Sequence, residues 1–302
     1  MDEIFLCSRT NLGSSIGLDD SKEHKLTNTI KTGLIYGMYS IQICLGPMQS
    51  YNRSTILKKD ILISQKLQEQ FGINIYSHTP YIHNLVGSSK IPAWSGNKDQ
   101  DIKTLRSIKS LEYELGIISN FNKGKYRSGI VIHPGNLFKS HEDEKILQKG
   151  IEKIAETINK IKFPKNSMLL LENCAGEKNK IAKDIDELKK IYDLVKCKEN
   201  VGICIDTCHS FGSGLYNFGK VDDINNFLKE FDSKLGLDKL KLIHLNDSNE
   251  KFGSKKDRHQ YIGQGYIWKK KLDVLSYFLD KTSNIPTVLE TSPSDYSVIQ
   301  SL

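Results

Sequence analysis

Short apolar or β-branched runs alternate with longer amphipathic segments along this chain. The apolar runs are residues 4–7, 40–45, 73–78, 129–133, 167–172, 201–206, 240–245 and 286–290. Between them, residues 143–160, 184–196 and 222–234 carry apolar side chains at helical spacing. Because strands that alternate with helices form βαβ units, the pattern predicts a parallel sheet.

Eight apolar runs in one chain predict a TIM (β/α)8 barrel, an α/β fold with a ring of parallel strands. Residues 129–132, 168–171 and 201–205 are almost continuously apolar, as buried parallel strands are. A doubly wound open sheet is the alternative, but no Gly-x-Gly-x-x-Gly follows the first run. We expect residues 1–302 to form a single TIM-barrel domain with a short eighth helix, because the chain ends soon after Glu290.

Composition excludes several classes of protein. The 302 residues include 43 Lys and Arg against 36 Asp and Glu, a net charge of +7 that is compatible with a polyanionic partner. The six cysteines form no Cys-x-x-Cys pair, which argues against a zinc ribbon or a disulfide scaffold. No apolar stretch approaches the roughly 20 residues of a membrane helix, and the acidic start lacks a signal-peptide pattern. We expect a soluble, intracellular protein without a membrane partner, and the compartment (nucleus, cytoplasm or virion) stays open.

The chemistry of the chain lies in the residues that end the predicted strands. Six consecutive runs have a histidine or an acid as their last or second-last residue: His78, His133, Glu172, Asp206, His244 and Glu290. In a TIM barrel, the carboxyl ends of the strands bring catalytic groups to one mouth. His209 follows Asp206 closely, and Asp257 and His259 are spaced so that an extended segment points both to the same side.

Taken singly, each of these residues fits a structural role, such as a hydrogen-bonded histidine or a helix-capping acid. Nine such groups at one mouth are costly to bury unless a cation compensates their charge. Mixed His, Asp and Glu ligands suit zinc or manganese, and nine are too many for one zinc ion with about four bonds. The sequence therefore predicts two or three metal ions. The other histidines, His24, His83 and His141, lie in polar surroundings and are expected at the surface.

Seven motifs resemble, in order, the successive blocks of the endonuclease IV family. They are SHTPY (77–81), HPG (133–135), LENCAG (171–176), CIDTCH (204–209), HLNDS (244–248), DRHQYIGQG (257–265) and LET (289–291). The family comprises apurinic/apyrimidinic endonucleases that hold a trinuclear zinc centre in a TIM barrel. The resemblance is looser over the first seventy residues.

The resemblance implies a set of ligands and a reaction. The implied ligands of three zinc ions are, in turn, His78, His133 and Glu172; Glu172, Asp206, His244 and Glu290; and His209, Asp257 and His259. Manganese is an alternative at one of these sites. The implied reaction is hydrolysis of the DNA phosphodiester 5′ to an abasic site, which leaves a 3′-hydroxyl and a 5′-deoxyribose phosphate, with 3′-end cleaning as a related activity. Glu172 and Glu290 are the catalytic candidates, because they could orient the nucleophile or take its proton.

The implied partner is double-stranded DNA that contains abasic sites, bound by a monomer. Tyr81 and Ile82 resemble the family's minor-groove wedge, and residues 46–53 correspond to its second insertion element. In that loop Gln49 stands where family members carry an arginine, and Arg53 is displaced from that position. The sequence therefore departs from the family pattern in a loop that the resemblance assigns to damage recognition.

Other positions have two interpretations. Arg258 belongs to a basic loop, residues 251–258, which would contact DNA phosphates or simply be solvated. Asn246 and Asp247 would fix the geometry of the ligands or form a turn after the strand. Cys7 stands where the first strand of the family often carries a histidine.

Two other classes of protein compete with the endonuclease. A sugar isomerase or epimerase shares the barrel, but it needs only one or two metal ions and no basic loop. His209, Asp257 and His259 discriminate against it, because a third ion has no evident role in proton transfer on a sugar. A non-catalytic relative of the fold would lack ligands, whereas all nine candidates are present. The sequence thus favours an endonuclease of base excision repair.

Overall fold

Eight parallel strands form a closed barrel in a computed structural model of the chain, which describes residues 9–88, 95–124, 126–138, 143–300 and 302. The barrel strands are β1 (Leu12–Ile16), β2 (Ser40–Ile43), β3 (Asn74–His78), β4 (Ser128–Ile132), β5 (Leu169–Glu172), β6 (Val201–Asp206), β7 (Leu240–His244) and β10 (Thr287–Leu289). Two short strands, β8 (Asp247–Ser248) and β9 (His259–Gln260), form an antiparallel hairpin outside the ring. Neighbours in the ring follow the chain order, and β10 pairs with β1. The predicted TIM barrel is confirmed.

Helices follow the strands and cover the outside of the barrel. They are α1 (Lys25–Ile35), α2 (Lys58–Phe71), α3 (Lys98–Ile118), α4 (Glu144–Ile158), α5 (Ile185–Leu194), α6 (Thr207–Ser213), α7 (Val221–Leu235), α8 (Leu272–Lys281) and α9 (Tyr296–Gln300). The predicted helices correspond to α4, α5 and α7, and the last helix is short as expected. Asp143 begins α4 by accepting the backbone N–H groups of Lys145 and Ile146. Within the described ranges, no helix combines the length and apolarity needed to cross a membrane.

The interior of the barrel explains why the candidate residues meet at one mouth. A compact cluster of buried side chains fills the ring: Tyr76, Val131, Leu170, Cys204, Leu242 and Val288. Each is followed two positions later by one of the six strand-end candidates. Because side chains alternate along a strand, a candidate two positions beyond an inward residue also points inward. The polar groups of the mouth therefore lie in the layer directly above the apolar cluster inside the barrel.

The run at residues 4–7 that is predicted as the first strand, Cys7 included, lies outside the described residues. Among the residues that the structure describes, the first strand of the ring is β1. The pattern missed β1 because its sequence, Leu-Gly-Ser-Ser-Ile, has small residues at its centre. Close packing requires the glycine among them, since a Cβ on Gly13 would lie 1.6 Å from the Ser40 carbonyl oxygen.

Candidate metal centre

Glu172 lies at the centre of the barrel mouth. It is the last residue of β5 and is fully buried. Its Oε2 lies 3.2 Å from His78 Nε2 and 3.5 Å from His133 Nε2. Its Oε1 lies 2.8 Å from His244 Nδ1. One carboxylate therefore joins candidates that follow or end three other strands.

A second group of candidates lies on the other side of Glu172. The ligand atoms of Glu172, Asp206, His244 and Glu290 all lie within 4.8 Å of one another. His244 Nδ1 is 3.3 Å from Glu290 Oε2. Asn246 Nδ2 donates hydrogen bonds to Asp206 Oδ2 at 2.7 Å and to Glu290 Oε2 at 3.1 Å. These contacts favour the ligand-orienting interpretation of Asn246.

The third group combines α6 with the hairpin. The ligand atoms of His209, Asp257 and His259 lie within 4.8 Å of one another. Asp257 Oδ2 is 3.2 Å from His209 Nε2, and Asp257 Oδ1 is 3.2 Å from His259 Nε2. Asp206 accepts the backbone N–H of His209 at 2.8 Å, which places this histidine on the first turn of α6. The structure thus brings together all nine predicted ligands.

Asp247 holds the hairpin in place. Its carboxylate accepts backbone N–H groups from Ser248, Gly263, Gly265 and Ile267, at distances between 2.8 and 3.1 Å. Gly265 has to be a glycine, because a Cβ there would lie 2.4 Å from Asp247 Oδ1. Asp247 therefore shapes the segment after β9, which explains this residue better than either the fixing of ligand geometry or a simple turn after the strand.

Two buried ring nitrogens of the third group show whether a metal ion fits there. His209 Nε2 and His259 Nε2 lack a directed hydrogen bond, although each lies 3.2 Å from an oxygen of Asp257. His209 Nδ1 donates to the Asn173 carbonyl oxygen at 2.9 Å, so His209 Nε2 can present a lone pair to the nearby Asp257 carboxylate. Electron-rich atoms at this distance repel each other unless a proton or a cation lies between them. Imidazole nitrogens that face carboxylate oxygens are a donor set that fits zinc.

Burial and mutual charge shift the pKa values of the cluster. Burial alone lowers the pKa of His78, but the hydrogen bond and charge of Glu172 outweigh burial and raise it to about 9. Burial lowers the pKa of His133 to about 3. Burial also opposes ionisation of Glu172, yet the neighbouring imidazoles hold its pKa well below the usual range. An ionised carboxylate among imidazoles is ready to bind a cation, and ring protons leave when one binds.

Gln42 belongs to the site although the sequence did not single it out. It lies on β2, and its amide contacts both His244 Nε2 and Glu290 Oε1 at 2.8 Å. The available signal was a polar residue inside an apolar strand, Ser-Ile-Gln-Ile. A glutamine at that position commonly pairs with backbone, so the pattern alone does not reveal its partners.

The predicted DNA-contacting residues surround the mouth. Tyr81 is 65% exposed, and its ring centroid lies 5.9 Å from that of His78. Ile82 is half-buried, and Gln49 is exposed on the neighbouring loop. The side chain of Arg258 is exposed next to the third group. None of these four side chains is fully buried.

Arg53 cannot substitute for an inserting arginine, because it is buried in an ion pair. Its Nη1 lies 3.4 Å from Glu114 Oε1, and the two side chains are 3% and 0% exposed. Its Nη2 donates to the carbonyl oxygens of Pro47, at 2.8 Å, and Ser50. Glu114 Oε2 accepts a hydrogen bond from Ser77 Oγ at 2.7 Å, and burial raises the pKa of Glu114 to about 7. Arg53 thus fixes the loop that carries Gln49.

We expect Glu114→Ala to destabilise the protein by about 3–5 kcal/mol, because it leaves the Arg53 guanidinium buried without its partner. The free energy of unfolding, measured by urea titration, checks this. Glu156→Ala is the matched control, since Glu156 is exposed and lies 3.6 Å from Lys153; an exposed pair contributes at most about 1 kcal/mol. Equal changes for the two variants would contradict the role given to Arg53 and Glu114.

The prediction that His83 lies at the surface is wrong. Only 3% of His83 is exposed, and burial lowers its pKa to about 3. Its ring packs edge-on against Tyr51 with centroids 5.3 Å apart, and Tyr51 also donates to the Ile82 carbonyl oxygen at 3.2 Å. His83 therefore joins the two loops at the mouth. His24 is half-buried, and His141 lies outside the described residues.

A closed parallel barrel whose mouth gathers histidines and carboxylates defines a TIM-barrel protein with candidate metal-binding groups at the carboxyl ends of its strands. The family model described as a xylose isomerase-like TIM barrel matches residues 35–292. The chain is 31% identical over 287 residues to "Probable endonuclease 4" of Staphylococcus aureus strain JH9, across 93% of this chain and 87% of that relative. The chain belongs to the endonuclease IV family.

Solved structures agree on the fold. Endonuclease IV from Thermus thermophilus superposes with a TM-score of 0.72 at 22% identity, across 95% of each chain. A D-tagatose 3-epimerase-like protein superposes with a TM-score of 0.58 at 16% identity, across 96% of this chain and 94% of that one. At these identities the likeness shows the barrel alone, so the choice between nuclease and epimerase rests on the sequence relatives and the site.

Proposed function

We propose that the protein is a zinc-dependent apurinic/apyrimidinic endonuclease of base excision repair. It hydrolyses the phosphodiester 5′ to an abasic site in double-stranded DNA and leaves a 3′-hydroxyl and a 5′-deoxyribose phosphate. The observation that carries this proposal is the division of the nine ligands into three groups, each with its ligand atoms within 4.8 Å of one another. Two groups share Glu172, and the third adds ligands that a sugar epimerase does not need.

The proposed ligand assignment follows these groups. The three sets are His78, His133 and Glu172; Glu172, Asp206, His244 and Glu290; and His209, Asp257 and His259. Zinc ions, when bound, supply positive charge for the phosphate oxygens and make a nucleophile available at neutral pH. Manganese is the alternative at one position, because it accepts the same ligand types.

The catalytic roles are proposed for two carboxylates. Glu172 faces both of the first two groups, so its oxygens can orient the attacking water between them. Glu290 is 15% exposed, and its Oε2 can accept a proton from that water while Asn246 holds the carboxylate in place. Tyr81 stands over the rings of His78 and His133 and limits the access of bulk water.

Damage recognition is proposed for the two loops at the mouth. Tyr81 and Ile82 enter the minor groove as a wedge, and Gln49 fills the space beside the abasic site with a neutral amide. The contact of Tyr51 with Ile82, together with the buried Arg53, supports this role because both loops are held before DNA binds. We further propose that residues 1–302 act as one intracellular, monomeric nuclease domain that also cleans 3′ ends.

The first experiment pairs elemental analysis of the purified protein with an incision assay. We expect about three zinc ions per chain and a cut on the 5′ side of a single abasic analogue in a duplex. One or two ions per chain with an uncut duplex would contradict the proposal and favour a sugar epimerase. In that case, conversion of ketohexoses under the same conditions is the next assay.

DNA affinity is expected to fall steeply with salt, because basic side chains release counterions from phosphates. The double variant Lys251→Ala and Arg258→Ala removes two exposed cations of the loop and should lower the slope of log Kd against log salt by about two. Fluorescence anisotropy with an uncleavable abasic duplex measures this slope. Lys66→Ala, on the outer face of α2, is the control and should leave the slope unchanged. A flat salt response of the parent protein would contradict the contacts.

A further inference from the structure

Gln42 lies in the middle of β2 and is only 1% exposed. Its Nε2 donates hydrogen bonds to Glu290 Oε1 at 2.8 Å and to Ser15 Oγ at 3.0 Å. Its Oε1 lies 2.8 Å from His244 Nε2. Both polar atoms of the amide are thus engaged, and two of the three partners are proposed ligands of one ion.

The chemistry of the partners determines which way the amide faces. An ionised carboxylate only accepts hydrogen bonds, so the amide nitrogen faces Glu290 and the amide oxygen faces His244. His244 must then carry a proton on Nε2 in order to donate to Gln42. In the neutral ring, which is the form that binds a metal, a proton on Nε2 leaves Nδ1 with a lone pair, and Nδ1 is the atom that lies 2.8 Å from Glu172 Oε1 and 3.3 Å from Glu290 Oε2.

The same amide also fixes Glu290. Gln42 holds Oε1 of this carboxylate, and Asn246 holds Oε2 at 3.1 Å. The carboxylate is therefore constrained on both oxygens by neutral amides. Glu172 and Asp206 already place negative charge around the same position. Neutral amides hold Glu290 without adding further charge to this buried group.

We propose that Gln42 is a positioning residue for the ion held by Glu172, Asp206, His244 and Glu290. It selects the ring nitrogen that His244 offers to the metal and the orientation that Glu290 adopts. This role rests on the proposed function, because it requires a metal at that group. Outer hydrogen bonds of this kind orient the ligands of metal sites generally.

No other common side chain does both tasks at this position. A glutamate has no donor for Glu290 and adds a fifth acid to those at the mouth, Glu172, Asp206, Asp257 and Glu290. A leucine of similar size leaves His244 Nε2 and Glu290 Oε1 without partners. An asparagine is shorter by one methylene group and does not span the distance. Gln42 is therefore expected to be sensitive even to conservative substitution.

The test is the zinc affinity of Gln42→Leu, measured by competition with a chromogenic chelator. We expect the ion held by Glu172, Asp206, His244 and Glu290 to bind about 10–100-fold more weakly. The affinities of the other two sites should be unchanged. Gln68→Leu is the matched control. Gln68 is also a buried glutamine, but its amide donates to the backbone of Ile73 and Phe121, before β3 and away from the mouth. Gln68→Leu should lower stability without changing zinc affinity.

A second readout separates positioning from a direct role in DNA binding. Raising free zinc should return the incision rate of Gln42→Leu towards that of the parent protein, with KM for DNA unchanged. If Gln42→Leu does not fold, Gln42→Met takes its place, because methionine has a similar length but neither donates to Glu290 nor firmly accepts from His244, and it should weaken zinc binding to a similar degree. Parent-like zinc affinity of either folded variant would overturn the role of Gln42. A parent protein that binds no zinc would overturn the proposed function instead.

Discussion

Glu172→Gln is expected to lower kcat/KM for incision of an abasic duplex by at least about a thousand-fold, comparable to the largest effects of removing a charged group from a catalytic centre. The reason is its position, because one fully buried carboxylate contacts His78 at 3.2 Å and His244 at 2.8 Å. A glutamine of the same size keeps the packing but loses the negative charge and one acceptor oxygen. Single-turnover incision kinetics measure the loss.

Zinc content and circular dichroism show whether Glu172→Gln acts on the site or on the fold. We expect a parent-like spectrum with reduced zinc content. Glu187→Gln is the matched control, because Glu187 is also a buried glutamate, but it accepts backbone N–H groups of Ala182 and Lys183. Incision by Glu172→Gln at the rate of the parent would refute the bridging role of Glu172.

Glu290→Gln should also abolish strand cleavage.

Removal of metal ions is expected to abolish incision and to lower the free energy of unfolding. A ligand that binds only the folded state stabilises it by about 4 kcal/mol when its free concentration is a thousand times Kd. Dialysis against a strong chelator, followed by thermal unfolding with and without added zinc, measures this difference. Unfolding that is indifferent to both chelator and zinc would contradict a metal centre of this size.

The zinc stabilisation should also grow with pH. Without zinc, burial opposes the protonation of His78 and His259, but their carboxylate neighbours raise both pKa values to about 9 from an ordinary 6.5. These protonated rings stabilise the fold fully below pH 6.5, and that contribution is lost as the pH rises through 9. Zinc requires neutral rings and binds more tightly over the same interval. The gap in melting temperature between the two forms is therefore expected to widen from about pH 6.5 to 9.

Much of the site could be predicted because the carboxyl ends of all barrel strands meet at one mouth. Once the strands are recognised, the residue that ends each of them must face the common mouth, and His78, Glu172 and His244 do so. His209, Asp257 and His259 are candidates from their spacing alone, and the motif resemblance supplies their assignment to one group, since nothing in the strand pattern determines where Asp257 and His259 lie. Those two residues depend on a hairpin whose path is set by backbone hydrogen bonds to Asp247.

The remaining features depend on contacts between distant parts of the chain. Arg53 and Glu114 are 61 residues apart, and nothing local to either residue indicates the pairing. Gln42 meets His244 across 202 residues. His83 lies in a polar stretch of sequence but is buried by Tyr51. The β1 strand was missed because close approach between strands selects small residues, which weakens the apolar pattern.

The division of the ligands between barrel and hairpin has a consequence for how such proteins diversify. The first two groups belong to strand ends, so changing them disturbs the ring itself. Two of the three ligands in the last group lie on the segment around β8 and β9, which is outside the ring. A lineage can gain or lose that group by exchanging one surface insertion while the barrel and its core stay intact. Under the proposed function, a barrel without that insertion would keep both strand-end groups and lose only the third.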